Sequence, residues 1–156
     1  YNLVGCQTML RYPEQRRVFR LIPGLEKAEF LRYGSLHRNS YLNAPEVLSP
    51  WLSLKNAPHI FVAGQLSGVE GYVECIASGL LVAKIISENL AILPPETITG
   101  QIWRRLIDTS IRNFQPVNAN FGLLPALNKP LRDKKLKKLA LSERSIKALK
   151  DFLQNK

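Results

Sequence analysis

The sequence predicts an α/β fold, because short apolar runs typical of strands alternate with longer segments of helical periodicity. The clearest case is Ile60–Ala63, a continuously apolar run expected to form a buried parallel strand. A glycine-containing turn leads from it to a predicted helix over Tyr72–Leu90, which is apolar nearly all round and therefore expected to be buried. With 156 residues, of which 46% are hydrophobic, the chain can bury a core of domain size.

The other elements follow from local signals. Tyr1–Leu10 has the pattern of a strand, and because residue 1 is not Met we expect the chain to begin in the middle of a fold. Pro13, near a first helical position, predicts a helix from Tyr12 to about Leu21. We also predict a strand over Ala28–Tyr33, a turn-rich connection over Pro50–Pro58, a helix over Glu96–Arg112 and a loop or broken helix over Phe114–Leu127.

The formal net charge of +10 is concentrated at the end of the chain. Residues 129–156 contain ten basic and three acidic residues, so they carry +7 and the rest of the chain only +3. Their apolar residues predict one amphipathic helix, or two helices joined near Ser142. The basic face could neutralise nucleic-acid phosphates, or be a solvated face without a ligand. A membrane-surface helix is less favoured, because the apolar face lacks Trp.

Several classes of protein and site find no support in the sequence. No apolar run is long enough to span a bilayer and no secretory leader is recognisable, so the expected compartment is the cytoplasm and no membrane partner is expected. Cys6 and Cys75 have no metal-ligand spacing around them, and we expect both to be reduced thiols without a nucleophilic role. No paired carboxylates indicate a hydrolase.

Three polar segments are candidates for ligand binding. Gly64–Gly71 precedes a predicted helix, where free N–H groups favour an anion, although the spacing differs from Gly-x-Gly-x-x-Gly and a purely structural β–α corner is the alternative. His37–Asn39 combines an imidazole, a cation and an amide between two tyrosines, a set suited to a flat polar heterocycle, with a functionless surface loop as the alternative. Asn118–Gly122 holds two amides, for which capping is the default role.

Several sequence blocks occur in the order found in one known family. They are Tyr1–Gly5 with Gln7-Thr8, Tyr12–Gln15, Arg32–Gly34 with His37–Asn39, Phe61–Gln65 with Gly68–Glu74, and Phe114–Pro116 with Asn118–Pro125. Together they resemble the bacterial folate- and FAD-dependent tRNA (uracil-5-)-methyltransferases over about residues 1–127. The glycine-rich block alone is less specific, because a related flavoprotein that installs carboxymethylaminomethyl groups on wobble uridine has a similar one.

The resemblance implies the C-terminal part of a glutathione-reductase-like FAD-binding domain, with a C-terminal basic helix. Residues 1–24 would be a strand and helix returning from an inserted domain, residues 25–128 the C-terminal portion of the FAD-binding domain, and residues 129–156 the helical tail. The family's Gly-x-Gly-x-x-Gly fingerprint and its catalytic cysteines would lie in an N-terminal half that this sequence does not contain. No catalytic residue and no metal ligand is therefore assigned here, and the isolated fragment is expected to be inactive.

The implied activity is methylation of the T-loop uridine of tRNA at C5, giving ribothymidine. Methylenetetrahydrofolate would be the one-carbon donor, FAD the redox cofactor and NAD(P)H the reductant, and the partners would be tRNA and the missing N-terminal half. The implied site residues are Gly64, Gln65, Gly71, Tyr72 and Val73 for the flavin and His37, Arg38 and Asn39 for the folate, with Lys134, Lys135, Lys137 and Lys138 of the basic tail as candidates for RNA. A paralogous enzyme acting on ribosomal RNA and a non-catalytic basic RNA-binding fragment are the alternatives.

Overall fold

The computed structural model describes residue 3 and residues 8–34 and 39–155. The chain divides into two compact units, residues 1–39 and residues 40–156. Cys6, His37, Arg38 and most of the predicted strand Tyr1–Leu10 lie outside the described residues. The predicted domain boundaries after residues 24 and 128 stay predictions.

The first unit is organised around one helix and one buried amide. Helix α1 (Tyr12–Phe19) begins with Pro13 in its first turn, which confirms the predicted helix. The Gln15 side chain, only 1% exposed, donates to the carbonyls of Leu10 and Gly34, both at 2.8 Å, and accepts from the Gly34 N–H at 3.0 Å. This amide therefore ties Leu10, just before α1, and Gly34, well after it, to the helix, and its buried polar atoms are paired.

The predicted strand over Ala28–Tyr33 is wrong. The segment is irregular, and its first carbonyl accepts from the Arg20 guanidinium at 2.9 Å rather than from a neighbouring strand. Its aromatic side chains pack locally, with Phe30 against Phe19 and with Tyr33 stacked on Tyr12 at 5.2 Å between ring centroids. The aromatic residues that suggested a strand therefore pack in a local aromatic cluster and form no strand pairing.

The second unit is mostly helical. Its regular elements are α2 (Ala44–Val47), β1 (Ser53–Leu54), β2 (Ala57–Phe61), α3 (Tyr72–Glu88), α4 (Ile98–Ile107) and α5 (Lys134–Gln154), with 3₁₀ turns at Gly64–Ser67 and Phe121–Leu123. The core lies between these elements and is centred on Trp103, which is fully buried and donates its indole Nε1–H to the Pro50 carbonyl at 2.8 Å.

The predicted buried parallel strand is also wrong. The first two residues of the apolar run end β2, which pairs antiparallel with β1 in a two-stranded sheet, and the other two follow the strand; Ile60 is 45% exposed. Among the described residues, parallel pairing is limited to an isolated bridge between Val69 and Val117. The α/β prediction therefore holds only coarsely, as a largely helical unit with one small hairpin.

Helix α3 has the predicted position and ends before Asn89, whose left-handed backbone closes it. The expectation that α3 is buried all round is wrong. Ser78, Leu81, Val82 and Ile85 are buried, whereas the opposite face exposes Tyr72, Val73, Ile76 and Leu80. The described part of the chain covers only one face of this helix. The helix therefore has more apolar side chains than the unit buries.

The last two helices fall within the predicted segments. Helix α4 is shorter than predicted at both ends: Thr97 caps its start, its side chain accepting from the Gly100 N–H at 3.0 Å, and the extended backbone of Asp108 ends it after Ile107. Helix α5 is a single helix capped by Asp133, so the alternative of two helices joined near Ser142 is wrong. The predicted loop over Phe114–Leu127 is confirmed, with only one short 3₁₀ turn in it.

Candidate functional site

The five candidate flavin-binding residues lie on one connected segment between β2 and α3. Gly64 and Gln65 begin the 3₁₀ turn, and Gly71 is the N-cap of α3, followed by Tyr72 and Val73 in its first turn. The structure thus brings the predicted residues to the amino-terminal end of a 17-residue helix.

A serine in the middle of α3 fixes the start of the turn. The Ser78 hydroxyl accepts from the Gly64 N–H at 2.7 Å and donates to the Cys75 carbonyl at 2.8 Å. The carbonyl of Gly64 in turn accepts from the Ser67 hydroxyl at 2.7 Å. Both backbone groups of Gly64 are therefore paired with side-chain hydroxyls, which holds the turn in one conformation.

A distant segment pairs with the end of the same turn. The Glu70 N–H donates to the Val117 carbonyl at 2.8 Å, and the Val117 N–H donates to the Gly68 carbonyl at 2.9 Å. This pairing places Asn118–Gly122 next to the start of α3. Two of the motif blocks recognised in the sequence therefore meet at one place in the fold.

The Glu74 carboxylate joins these two segments. It accepts from the Ala119 N–H at 3.0 Å, and it also lies where a side chain on Gly71 would point. Gly71 has φ +106°, a conformation open to glycine, so a Cβ there meets both backbone strain and this carboxylate. The Asn120 side chain accepts from the Gly122 N–H at 3.0 Å, which confirms the capping role.

The first N–H groups of α3 find no hydrogen-bond acceptor in the part of the chain that the structure describes. Those of Gly71, Tyr72 and Val73 donate to no acceptor within the described residues, and the Tyr72 and Val73 side chains are 94% and 76% exposed. Such groups carry the positive end of the helix dipole and favour an acceptor that gains negative charge. The residues present therefore fit the edge of a ring that carries oxygen and nitrogen acceptors.

A free thiol lies beside this turn. Cys75 is free and half-buried, and its Sγ lies 3.4 Å from the Val69 carbonyl, to which the thiol donates. A side chain on Gly64 would point at the Cβ and Sγ of Cys75. The thiol thus contacts the turn, and the expectation that it is no nucleophile stays a prediction.

Less of the candidate folate site is visible. His37 and Arg38 lie outside the described residues, and Asn39 is exposed. Gly34, three residues before His37, is held on both its N–H and its carbonyl by Gln15. The described chain thus anchors the start of this loop, and the roles of the three loop residues stay predictions.

The candidate RNA-binding residues form an exposed basic cluster at the beginning of α5, consisting of Lys134, Lys135, Lys137 and Lys138. No acidic residue occupies the first turn of α5, and its N–H groups rely on Asp133, whose Oδ1 accepts from residues 135 and 136 at 2.7 and 2.9 Å. Positive side chains at the positive end of a helix repel the dipole. The cluster therefore concentrates positive potential that a phosphate would offset.

Sequence reasoning missed two residues that build the flavin-site candidate, Ser78 and Glu74. The Glu74 position, third in a helix, is a recognisable N-terminal signal, whereas a serine inside an apolar helix gives none. Within the part of the chain that the structure describes, no group of three potential metal ligands occurs. None of the helices described is both long and apolar enough to cross a membrane.

The sequence matches the model of one known protein family. The model described as glucose inhibited division protein A matches residues 1–92, which is more than half of the chain. The matched range includes the turn 64–71, α1 and α3.

Curated relatives extend the similarity to the whole chain. Methylenetetrahydrofolate–tRNA-(uracil-5-)-methyltransferase TrmFO of Natranaerobius thermophilus is 50% identical over 161 residues, and that of Brevibacillus brevis is 48% identical over 161 residues; each alignment covers 100% of this chain and 37% of the relative. The enzyme of the same name from Desulforudis audaxviator is 50% identical over 163 residues, again with 100% and 37% coverage. This chain therefore spans about 37% of the length of these relatives and belongs to the glucose inhibited division protein A family.

Proposed function

We propose that this chain is part of a folate- and FAD-dependent tRNA (uracil-5-)-methyltransferase, and that it supplies one wall of the flavin site. The observation that carries the proposal is the start of α3, where three adjacent N–H groups have no acceptor within the described residues. The printed names of relatives about 50% identical to the chain support the activity and its substrates.

In this proposal the flavin supplies the redox step, with NAD(P)H as the source of electrons and methylenetetrahydrofolate as the one-carbon donor. Gly71, Tyr72 and Val73 donate hydrogen bonds to the ring edge and stabilise the negative charge gained on reduction. Gly64 and Gln65 hold the ring from the preceding turn, whose conformation Ser78 fixes. His37, Arg38 and Asn39 bind the folate from the first unit.

The basic cluster at the start of α5 is proposed to bind the tRNA backbone. Each lysine that neutralises a phosphate releases counterions, so the four lysines contribute affinity that depends on salt and not on sequence. We expect replacement of all four by Ala to weaken tRNA binding and to lower the salt slope by about 0.7 to 0.9 for each phosphate that is no longer neutralised. Replacement of Lys147 and Lys150, farther along α5, is the control, and an equal loss of affinity and salt slope per lysine from the control pair would contradict this role.

The activity can be tested in a chimera in which this chain replaces the matching stretch of the Natranaerobius relative. We expect the chimera to transfer labelled carbon from methylenetetrahydrofolate to the T-loop uridine of unmethylated tRNA, in the cytoplasmic setting of tRNA maturation. The chain alone is expected to be inactive. Label appearing only in ribosomal RNA would favour the paralogous enzyme, and tRNA binding without flavin or transfer would favour a non-catalytic RNA-binding role.

A further inference from the structure

The Glu74 carboxylate occupies an unexpected place for a residue beside a flavin. It is the third residue of α3, so its negative charge lies at the same helix end as the unpaired N–H groups. It does not stabilise that end as a side-chain cap, because the N-cap Gly71 receives no side-chain hydrogen bond and the carboxylate accepts instead from the Ala119 N–H. The positive end of the helix dipole attracts this negative charge, and the charge in turn reduces the positive potential that a ligand at the helix start would meet.

The geometry keeps this charge in place. Gly71 lacks a side chain, which leaves room for the carboxylate to fold back over the helix start. Ala119 belongs to the loop that pairs with the turn through Val117. The position of the Glu74 carboxylate is therefore set both by its own helix and by this loop, whose Ala119 N–H donates to it.

We infer that Glu74 lowers the midpoint potential of the flavin bound at the start of α3, an inference that rests on the proposed function. A carboxylate at this helix end disfavours the extra negative charge of the reduced form relative to the oxidised form, whereas the three N–H groups favour it. The two opposing effects let one helix end bind the flavin firmly without making its reduced form too stable to donate electrons. Glu74 is therefore a positioning and potential-setting residue that holds the Ala119 loop and carries no proton or carbon in the reaction.

The test is Glu74→Gln in the flavin-loaded chimera. The amide oxygen still accepts from Ala119, so the loop is kept while the charge is removed. We expect the affinity for reduced over oxidised flavin to rise about fivefold, from the size of charge effects at helix ends. With a tenfold change equal to about 30 mV for a two-electron couple, the midpoint potential should rise by about 20 mV.

Two further variants separate charge from structure. Glu88→Gln removes a carboxylate at the other end of α3, about 21 Å away at 1.5 Å per residue, and should leave the potential unchanged. Glu74→Ala removes both the charge and the acceptor for Ala119. A rise in both Glu74 variants supports the inference; a rise only in the alanine variant overturns it, because the loop contact and not the charge then sets the potential.

The outcomes also distinguish this inference from the proposed function. A chimera that binds flavin but has the same potential with and without the Glu74 charge contradicts the inference and leaves the proposed function standing. A folded chimera that takes up no flavin contradicts the proposed function, and the inference falls with it.

Discussion

Ser78→Ala tests whether the turn before α3 is held by a single side chain. Ser78 is 4% exposed, and its hydroxyl is the acceptor for the Gly64 N–H at 2.7 Å. Alanine removes that acceptor and leaves the N–H of a half-buried residue without a partner. The Cys75 carbonyl also loses a hydroxyl donor, but as a carbonyl within α3 it keeps its place in the backbone ladder of the helix.

The magnitude follows from the unsatisfied N–H. An unpaired buried donor costs about 1 to 3 kcal/mol, and because Gly64 is only half-buried we expect the lower half of this range, about 1 to 2 kcal/mol. Serine to alanine also gains a few tenths of a kcal/mol, roughly 0.5 or less, of helix propensity, so a second serine on the same helix is needed for comparison. Ser87→Ala is that control, since Ser87 is exposed near the end of α3.

The assay is urea unfolding of the two variants followed by circular dichroism. We expect Ser78→Ala to be less stable than Ser87→Ala by about 1 to 2 kcal/mol, with a melting temperature lower by about 2 to 4 °C for each kcal/mol. Equal free energies of unfolding for the two variants would refute the claim that Ser78 anchors the turn.

Three other substitutions test the packing around the site. Gly68→Ala puts a Cβ 2.5 Å from the Phe114 ring at φ +88° and should lower the free energy of unfolding by about 2 to 4 kcal/mol. Gly79→Ala, whose Cβ would meet no atom outside its own helix within 4 Å, should instead stabilise α3 by about 0.5 to 1 kcal/mol. Similar melting temperatures for the two variants would contradict this account. Arg144→Met removes the donors to the carbonyls of residues 125 and 126 and should lower stability by about 1 to 2 kcal/mol in urea unfolding, an unchanged midpoint arguing against this anchor. Trp103→Phe leaves the Pro50 carbonyl without its indole donor and should lower the melting temperature, with a loss of about 1 to 3 kcal/mol; an unaltered melting curve would show that the hydrogen bond is dispensable.

Local signals predicted the helices well. Pro13 marks the start of α1, and the apolar composition of α3 and the regularly spaced leucines of α5 are properties of contiguous residues. Residues three and four apart share a helix face whatever the rest of the chain does. These elements could therefore be placed from the sequence to within a few residues.

Burial and strand pairing could not be predicted in this way. The apolar run Ile60–Ala63 has the composition of a buried strand, but pairing depends on the partner, and β2 pairs antiparallel with β1 in a hairpin in which the middle of β2 is exposed. Helix α3 has apolar residues all round although the described chain covers only one face. An apolar segment indicates that its side chains are to be buried, but it does not indicate which part of the protein buries them.

The candidate site was predicted in part for the same reason. The turn at residues 64–71 could be recognised because its three glycines lie within eight residues of sequence. The Glu74–Ala119 hydrogen bond joins residues 45 positions apart, and the Ser78–Gly64 hydrogen bond crosses from the middle of a helix to the preceding turn. Such contacts exist only after folding, so the sequence indicates neither the role of Ser78 nor the contact of Glu74 with Ala119, although the position of Glu74 in a first helical turn is itself a recognisable signal.

The central claim is that the start of α3 holds a flavin, and the flavin content of the chimera tests it most directly. After gel filtration, visible absorbance should show stoichiometric flavin in the chimera and in its Gly79→Ala variant. The Gly71→Ala variant should be folded but largely without flavin, because alanine is strained at φ +106° and its Cβ takes the place of the Glu74 carboxylate, so the backbone at the helix start shifts. Full flavin content in Gly71→Ala, or a folded chimera without flavin, would contradict the account.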